Sequence, residues 1–407
     1  MIEFGTSRAE VLERLFALWK AVPQTETVPI EEAAGRITAR DIHSRVTLPE
    51  VHASARDGIA VNSAAFSISP AGDGGTDYPA WKEGADYARA DTGDDFDDRY
   101  DAIIQIEDVT FLETGGVRLP AGFTVTPGMN VFGRGSMIRE GEMILEQGLP
   151  IRPCDVGALA RGAVWDVPVV KKPVVAFIPT GDELIPLRQT PKRGENIDTN
   201  SIMARQMIAA MGASPVLFPI QKDNKAGLEG ILKKALPLAD IVVINGGSSK
   251  GAEDYNARLL AEMGTLVCHG VSAAPGRPLA AAVIDGKAVI NLPGPMLATY
   301  FGLDWCVRAL VCRALGIPVP KRPVVRARLT GTGAPPRQLP PDFEFLSRVI
   351  VTRTADGWEA WPIPSGCVEG KRTQGFHSGQ CAIKGPSTPG REVDVELLYG
   401  EEYFTAR

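Results

Sequence analysis

Residues 167–316 alternate apolar runs with amphipathic ones, and that alternation limits the fold more than any other feature of the chain. The runs "VVAFIP", "SPVLFPI", "DIVVINGG" and "TLVCHGV" read as strands. The stretches between them, "NSIMARQMIAAMG", "AGLEGILKKALP" and "YNARLLAEMG", read as helices. Strands this apolar need cover on both faces, and parallel strands need long crossovers; the helices supply both. A hairpin follows, "AAAVI" and "KAVINL", joined by Asp285 and Gly286, the dipeptide that two-residue turns favour. A helix over residues 297–315 ends before Gly316. The expectation is a mostly parallel α/β sheet.

The rest of the chain has other textures, and 407 residues exceed one ordinary core. Residues 7–21 carry Val11, Leu12, Leu15, Leu18 and Trp19 at helical steps, with Ser7 and Glu10 as a capping box. "PIEEAAGRITARDI" reads as a short helix behind Pro29. Residues 47–135 are rich in glycine, proline and short strand-like runs, as a small all-β domain would be. Residues 319–407 show runs such as "SRVIVTRT" and "EVDVELLY" and no helix, so a small β-barrel or sandwich is expected. The division is residues 1–46 with 136–166 as a helical or linker domain I, 47–135 as domain II, 167–318 as domain III and 319–407 as domain IV. The fold class is thus multidomain α/β and all-β.

Charge and cysteine use exclude several functions. With 43 basic and 49 acidic residues the net charge is −6, so no basic face is expected to carry nucleic acid. No signal peptide is expected from the N-terminal stretch, and no run reaches the ~18 apolar residues of a membrane span. The six cysteines are scattered without a C-x-x-C pair, and none of the four histidines stands at helical ligand spacing from another. Reduced thiols, a cytoplasmic location and no zinc site are expected. The acidic run "DTGDDFDDRYD" reads as a solvated loop or a weak cation site.

Ligands of open parallel sheets bind beyond the C-terminal strand ends. Four segments fall there. Thr180, Gly181, Asp182 and Glu183 follow the first strand and place two acids in one turn. "NGGSSKGAEDY" offers Gly246, Gly247 and Gly251 for close approach of backbone N–H groups, hydroxyls from Ser248 and Ser249, a cation at Lys250 and a carboxylate at Asp254. "LPGPMLAT" carries Pro293 and Gly294, and "DTNS", with Asp198 and Asn200, opens a helix. Arg277 in "APGRP" adds a fork-shaped donor. Together they suit a phosphate-rich ligand, with Asp182, Glu183 and Asp254 on a magnesium ion. That chemistry is phosphoryl or nucleotidyl transfer.

The ordered set "PTGDEL", "DTNS", "NGGSSKGAEDY", "HGVSAAPGRPLA" and "LPGPMLA" resembles the molybdenum insertase family, MoeA and the gephyrin E domain. "SARDGIAV", "DTGD", "QIEDV", "PIPSGC" and "GREVDVELL" extend the resemblance over nearly the whole chain. It implies an elongated homodimer of four-domain subunits, with an active site shared between the α/β domain of one and the small β domain of the other. It implies a molybdopterin molybdenumtransferase that takes adenylylated molybdopterin and molybdate, or tungstate, with magnesium and releases AMP. It implies roles for Asp57 and Thr92 from the partner, for Glu183 at magnesium and phosphate, for Asp198, Asp223 and Asp254 near the nucleotide and metal, and for Ser365 in the last domain. Contacts with other cofactor-biosynthesis proteins are a further implication.

The anion loops depart from the family pattern. Lys-Pro-Gly-Lys is here Ala274, Pro275, Gly276 and Arg277, and the LPGNP turn reads Leu292, Pro293, Gly294, Pro295, Met296. Lys250 could return the cation lost at Ala274. Two further readings therefore stand beside the insertase: a non-catalytic carrier of molybdopterin or its cofactor, and another phosphate-ester chemistry on a nucleotide.

Overall fold

The computed structural model describes residues 5–66, 75–113, 115–247, 255–330, 342–363, 379–384 and 389–400. Its contacts fall into two compact units, residues 25–170 and residues 1–24 with 171–407.

In the second unit, helix α1 (Arg8–Leu18) starts at Ser7, whose hydroxyl accepts the Glu10 N–H at 3.2 Å. The sheet comprises β1 (Val174–Pro179), β2 (Ser214–Leu217), β3 (Ile241–Asn245), β4 (Thr265–His269), β5 (Ala280–Ile284) and β6 (Lys287–Leu292), in spatial order β2-β1-β3-β6-β5-β4. β2, β1, β3 and β6 are mutually parallel; β5 runs antiparallel to both β6 and β4. The hairpin between β5 and β6 turns at Asp285 (φ 49°) and Gly286 (φ 74°), the left-handed pair that matches strand twist.

Helices α2 (Thr199–Ala210), α3 (Lys225–Ala235) and α4 (Tyr255–Met263) cover the sheet. Leu228, Leu232 and Leu260 pack with Ala176, Ile178, Val242 and Ile244 on one face. α1 packs against β4 and β5, and α2 against β1 and β2. The long closing helix is broken: α5 (Met296–Gly302) passes through a π turn (Leu303–Val307) into α6 (Arg308–Leu315), and Gly316 ends it at φ 71°. Val175, Phe177 and Val243 are fully buried, as are Ala176, Ile178 and Val242. Burial on both faces is why these strands read as unbroken apolar runs.

Strands β7 (Val324–Leu329), β8 (Glu344–Thr354), β9 (Gly357–Pro362), β10 (Gly379–Lys384) and β11 (Glu392–Leu397) pair in a ring: β8 with β9 and β10, β11 with β10 and β7, and β7 with β9. The ring is a closed barrel whose inside alternates along the strands, with Ala327, Val349, Val351, Ala360, Ile383 and Val395. Closure leaves no sheet edge within it.

Residues 25–170 form a separate body. Gly58–Val61 is the centre of an antiparallel sheet with Tyr87–Ala90 and Ala102–Gln105, and Val117–Leu119 pairs with Thr76–Tyr78 and Thr110–Phe111. Thr25–Pro29 pairs with Asp166–Val170, and helix Pro153–Arg161 packs beside them around Leu159. The helix expected behind Pro29 is only a 3-10 turn, Ile30–Glu32. Gly35 at φ 76° leaves the helical region, Ile37 and Thr38 bridge to Pro150 and Val169, and Ile42–His43 joins a strand pair. Cross-strand pairing takes the backbone groups a helix would have used.

Candidate functional site

The strand order places β2 and β3 on opposite sides of β1, and crossovers leave in opposite directions there. Such a reversal opens a crevice at the C-terminal strand ends. A cleft of 1060 Å³ lies at that point. Thr180 and Gly181 after β1, Gly246 and Gly247 after β3, and Pro293, Gly294, Pro295 and Met296 after β6 all line it. Asp198, Thr199 and Asn200 at the start of α2 line it as well, with Glu183, Asp223, Pro275, Gly276 and Pro278.

Buried amides lock these loops together. The Asn200 Nδ2 group donates to Asn245 Oδ1 at 2.8 Å and to Gly294 O at 2.7 Å. Asn245 Nδ2 donates to Thr299 Oγ1 at 2.8 Å and to Pro293 O at 3.0 Å. Thr180 N–H donates to Asn245 O at 2.8 Å, and Gly246 N–H to Leu292 O at 2.9 Å. Asn245 is 2% exposed and Thr299 fully buried, so each bond sits in low dielectric and holds its loop firmly. Glycine is required twice beneath the cleft. A Cβ at Gly246 (φ 120°) would stand 2.3 Å from Thr180 O, and one at Gly247 (φ 67°) 2.3 Å from Asn256 Nδ2.

The carboxylates separate by task. Glu183 lines the cleft, whereas Asp182 faces Lys222, whose ammonium lies 3.9 Å from Oδ1 and donates to Asp182 O at 2.9 Å. Asp198 Oδ1 accepts the Ser201 N–H at 3.0 Å and caps α2. Asp223 Oδ1 accepts the Tyr255 hydroxyl at 3.4 Å. Burial, then the Asp223 charge, pushes the Tyr255 phenol up to about 12, so it stays a donor. Arg277 is exposed and is not among the cleft-lining residues, although both its neighbours are. Ser248, Ser249, Lys250, Gly251, Asp254 and Ser365 lie outside the described residues. Among the described residues no group of three or more His, Cys, Asp or Glu side chains could hold a metal ion.

In the unit of residues 25–170, Asp57 and Thr92 meet. Asp57 Oδ1 accepts the Thr92 hydroxyl at 2.7 Å and the Thr92 N–H at 2.6 Å. The hydroxyl first, then the amide, holds the Asp57 carboxyl below the usual range. Elsewhere in the acidic run Asp101 takes the Ser63 N–H and hydroxyl at 2.6 and 2.7 Å, and Asp94 the Asp91 N–H at 3.1 Å.

Sequence reasoning assigned no role to Asn245, Thr299, Glu195 or Tyr255, though three of them lie in segments it singled out. Polarity at the end of a buried strand was the available signal for Asn245, because a buried amide must find partners.

A largely parallel sheet with such a cleft at its switch point is the class of α/β protein that binds small ligands beyond its strand ends. Residues 6–162 match the MoeA N-terminal region (domain I and II), and residues 176–312 match the "Probable molybdopterin binding domain". A molybdopterin molybdenumtransferase of Nostoc is 30% identical over 307 residues, 72% of this chain and 68% of that one. That of Haemophilus influenzae is 27% identical, over 79% and 80%. The solved molybdopterin biosynthesis MoeA protein of Pyrococcus horikosii superposes with a TM-score of 0.77 at 27% identity, over 98% of this chain and all of that one. The chain belongs to the molybdopterin molybdenumtransferase family, and so to molybdenum cofactor biosynthesis. No helix among the described residues is long and apolar enough to cross a membrane.

Proposed function

We propose that this chain is an active transferase, which accepts an adenylylated molybdopterin and molybdate as substrates in the cleft and releases AMP. The observation that carries the reading is the convergence of three chain-distant loops, after β1, β3 and β6, on one cleft at the sheet's switch point. The volume, 1060 Å³, suits a ligand of nucleotide size.

In this reading the backbone around Gly246 and Gly247 lets the ligand's phosphate approach closely, and the Asn200–Asn245–Thr299 network fixes the turn of residues 293–295 against which the oxyanion would rest. Preorganised donors stabilise developing charge without reorganising. Glu183 would bind at the ligand's metal edge, and Asp223, steadied by Tyr255, would hold or accept a proton from an attacking water. The donor set fits magnesium in one respect: among the described residues no three acids cluster as a full protein ligand set, and magnesium takes one or two carboxylates plus substrate phosphates. Glu183 is the described residue that would hold it, and the ion would offset phosphate charge. Asp57, kept ionised by Thr92, would serve a homodimer's shared site from the partner subunit. Buried Cys268, Cys306, Cys312 and Cys381 are thiols outside any disulfide, in accord with a reducing cytoplasm.

The test supplies adenylylated molybdopterin, magnesium and molybdate to the purified chain and follows AMP. Molybdate-dependent release is expected, with Glu183→Ala slower by roughly a hundredfold or more. Tight binding of the nucleotide with no release would instead make the chain a carrier. Mixing Asp57→Ala with Glu183→Ala chains should restore part of the activity if the site is shared.

A further inference from the structure

The described lining of the cleft includes four carboxylates, Glu183, Glu195, Asp198 and Asp223, and no lysine or arginine. A phosphate-bearing ligand entering between such walls meets like charge. Cations stand instead on the segment that joins Leu184–Ile185 to Asn196–Ile197, where Arg188, Lys192 and Arg193 are all exposed.

That segment is a pinned strap. Its ends pair in parallel, Leu184 with Asn196 and Ile185 with Ile197. Asn196 N–H donates to Glu183 O at 2.8 Å, and Asp198 N–H to Ile185 O at 2.9 Å. Its tip is a closed turn. The Glu195 carboxylate accepts the Lys192 N–H at 2.8 Å, Glu195 N–H donates back to Lys192 O at 3.0 Å, and Gly194 takes φ 86°. Part of the Glu195 charge is thereby spent on the strap's own backbone. Pro191 and Glu195 line the cleft, so the turn stands at its mouth with Lys192 and Arg193 beside them. No ion pair among the described residues engages Arg188, Lys192 or Arg193.

We infer that Arg188, Lys192 and Arg193 are the anion-recognition element of this cleft, drawing in the phosphate end of the ligand and supplying positive charge that the described walls lack. The identity of the ligand rests on the proposed function; the positive charge is the strap's own. Charges that flank a low-dielectric cleft focus the field and raise the rate of encounter. The effect is screened over about 8 Å at physiological salt.

The experiment titrates the full chain, with magnesium, with AMP, with inorganic pyrophosphate and with uncharged adenosine across a range of ionic strength. The R188A/K192A/R193A variant should bind both anions about tenfold more weakly at low salt, with the gap closing above roughly 0.15 M. Its adenosine binding should match the unaltered protein, and R188K/K192R/R193K should retain the anion affinity. Equal anion affinity in the alanine variant overturns the inference and leaves the nucleotide reading standing. Equal losses of adenosine and AMP overturn it too, because packing rather than charge would then be at work. Strap-dependent binding of pyrophosphate, with no binding of AMP by the unaltered protein, upholds the strap and sinks the nucleotide reading. Failure of the unaltered protein to bind either anion overturns the inference.

Discussion

At the scale of single residues, the contact between Asp57 and Thr92 makes the sharpest statement. Two donors on one carboxylate oxygen favour the charged form. Thr92→Val removes the hydroxyl, the larger cause, and keeps the amide. The Asp57 titration, followed by carboxyl NMR, should therefore move up toward the ordinary carboxylate value, and an unmoved titration would remove the hydroxyl from the account. Composition and spacing gave no hint that these residues, 35 apart, would meet; only the family likeness put both in one site. The opposite held for Asp182 and Glu183. Their adjacency suggested one ligand pair, whereas only the fold shows that Glu183 lines the cleft and that Lys222 stands 3.9 Å from Asp182. The Asn200, Asn245 and Thr299 amide and hydroxyl cluster was illegible for another reason. Its members come from three segments, and no local pattern joins two helix starts to a strand end.

Among the elements, the short helix Pro153–Arg161 depends on its first turn. Pro153 sits where a missing N–H costs nothing, and Asp155 folds back to accept the Arg152 N–H at 2.8 Å and its guanidinium at 2.7 Å. The Arg152 side chain first, then its backbone N–H, lowers the Asp155 carboxyl to about 2. The folded value lies below the unfolded one, about 3.9. Its stabilisation is therefore complete above the unfolded value and lost as pH falls through about 2. Asp155→Asn should cost about 1 kcal/mol at neutral pH, read as a shifted denaturant midpoint, and the difference from the unaltered chain should vanish near the folded value. The parallel strands were legible because burial on both faces leaves apolar runs with nothing polar to interrupt them. The segment behind Pro29 was not, since Ile30, Ala33 and Ile37 fit helical spacing equally well, and only strands more than a hundred residues away decide against it.

Across the whole molecule, one polar knot fixes the barrel to the α/β domain. Arg322 donates to Asp304 Oδ2 and to Glu396 Oε2, both at 3.0 Å, and Gln380 Nε2 donates to the same two oxygens at 2.8 and 3.0 Å. Asp304, 4% exposed, comes from the π turn, and its partners come from the interdomain segment and from β10 and β11. Burial alone would raise its carboxyl, but Arg322, Arg308 and Gln380 together hold it low. The stabilisation is therefore present above the ordinary carboxylate range and lost as pH falls through the lowered value. Arg322→Ala leaves a buried charge without its main partner and should cost about 3 kcal/mol. Calorimetry of the variant should resolve a barrel transition that falls below the main one, and its gap from the unaltered chain should narrow as acid protonates Asp304; a single unchanged transition would deny the knot that role. The other long-range feature concerns how the chain is threaded. Lys171 N–H meets Gln24 O at 2.8 Å, so the host leaves off and resumes at nearly one point in space. Residues 25–170 are therefore spliced into the chain between two adjoining points of the host, a threading in which a gene could gain or shed such an insert without cutting any strand of the parallel sheet.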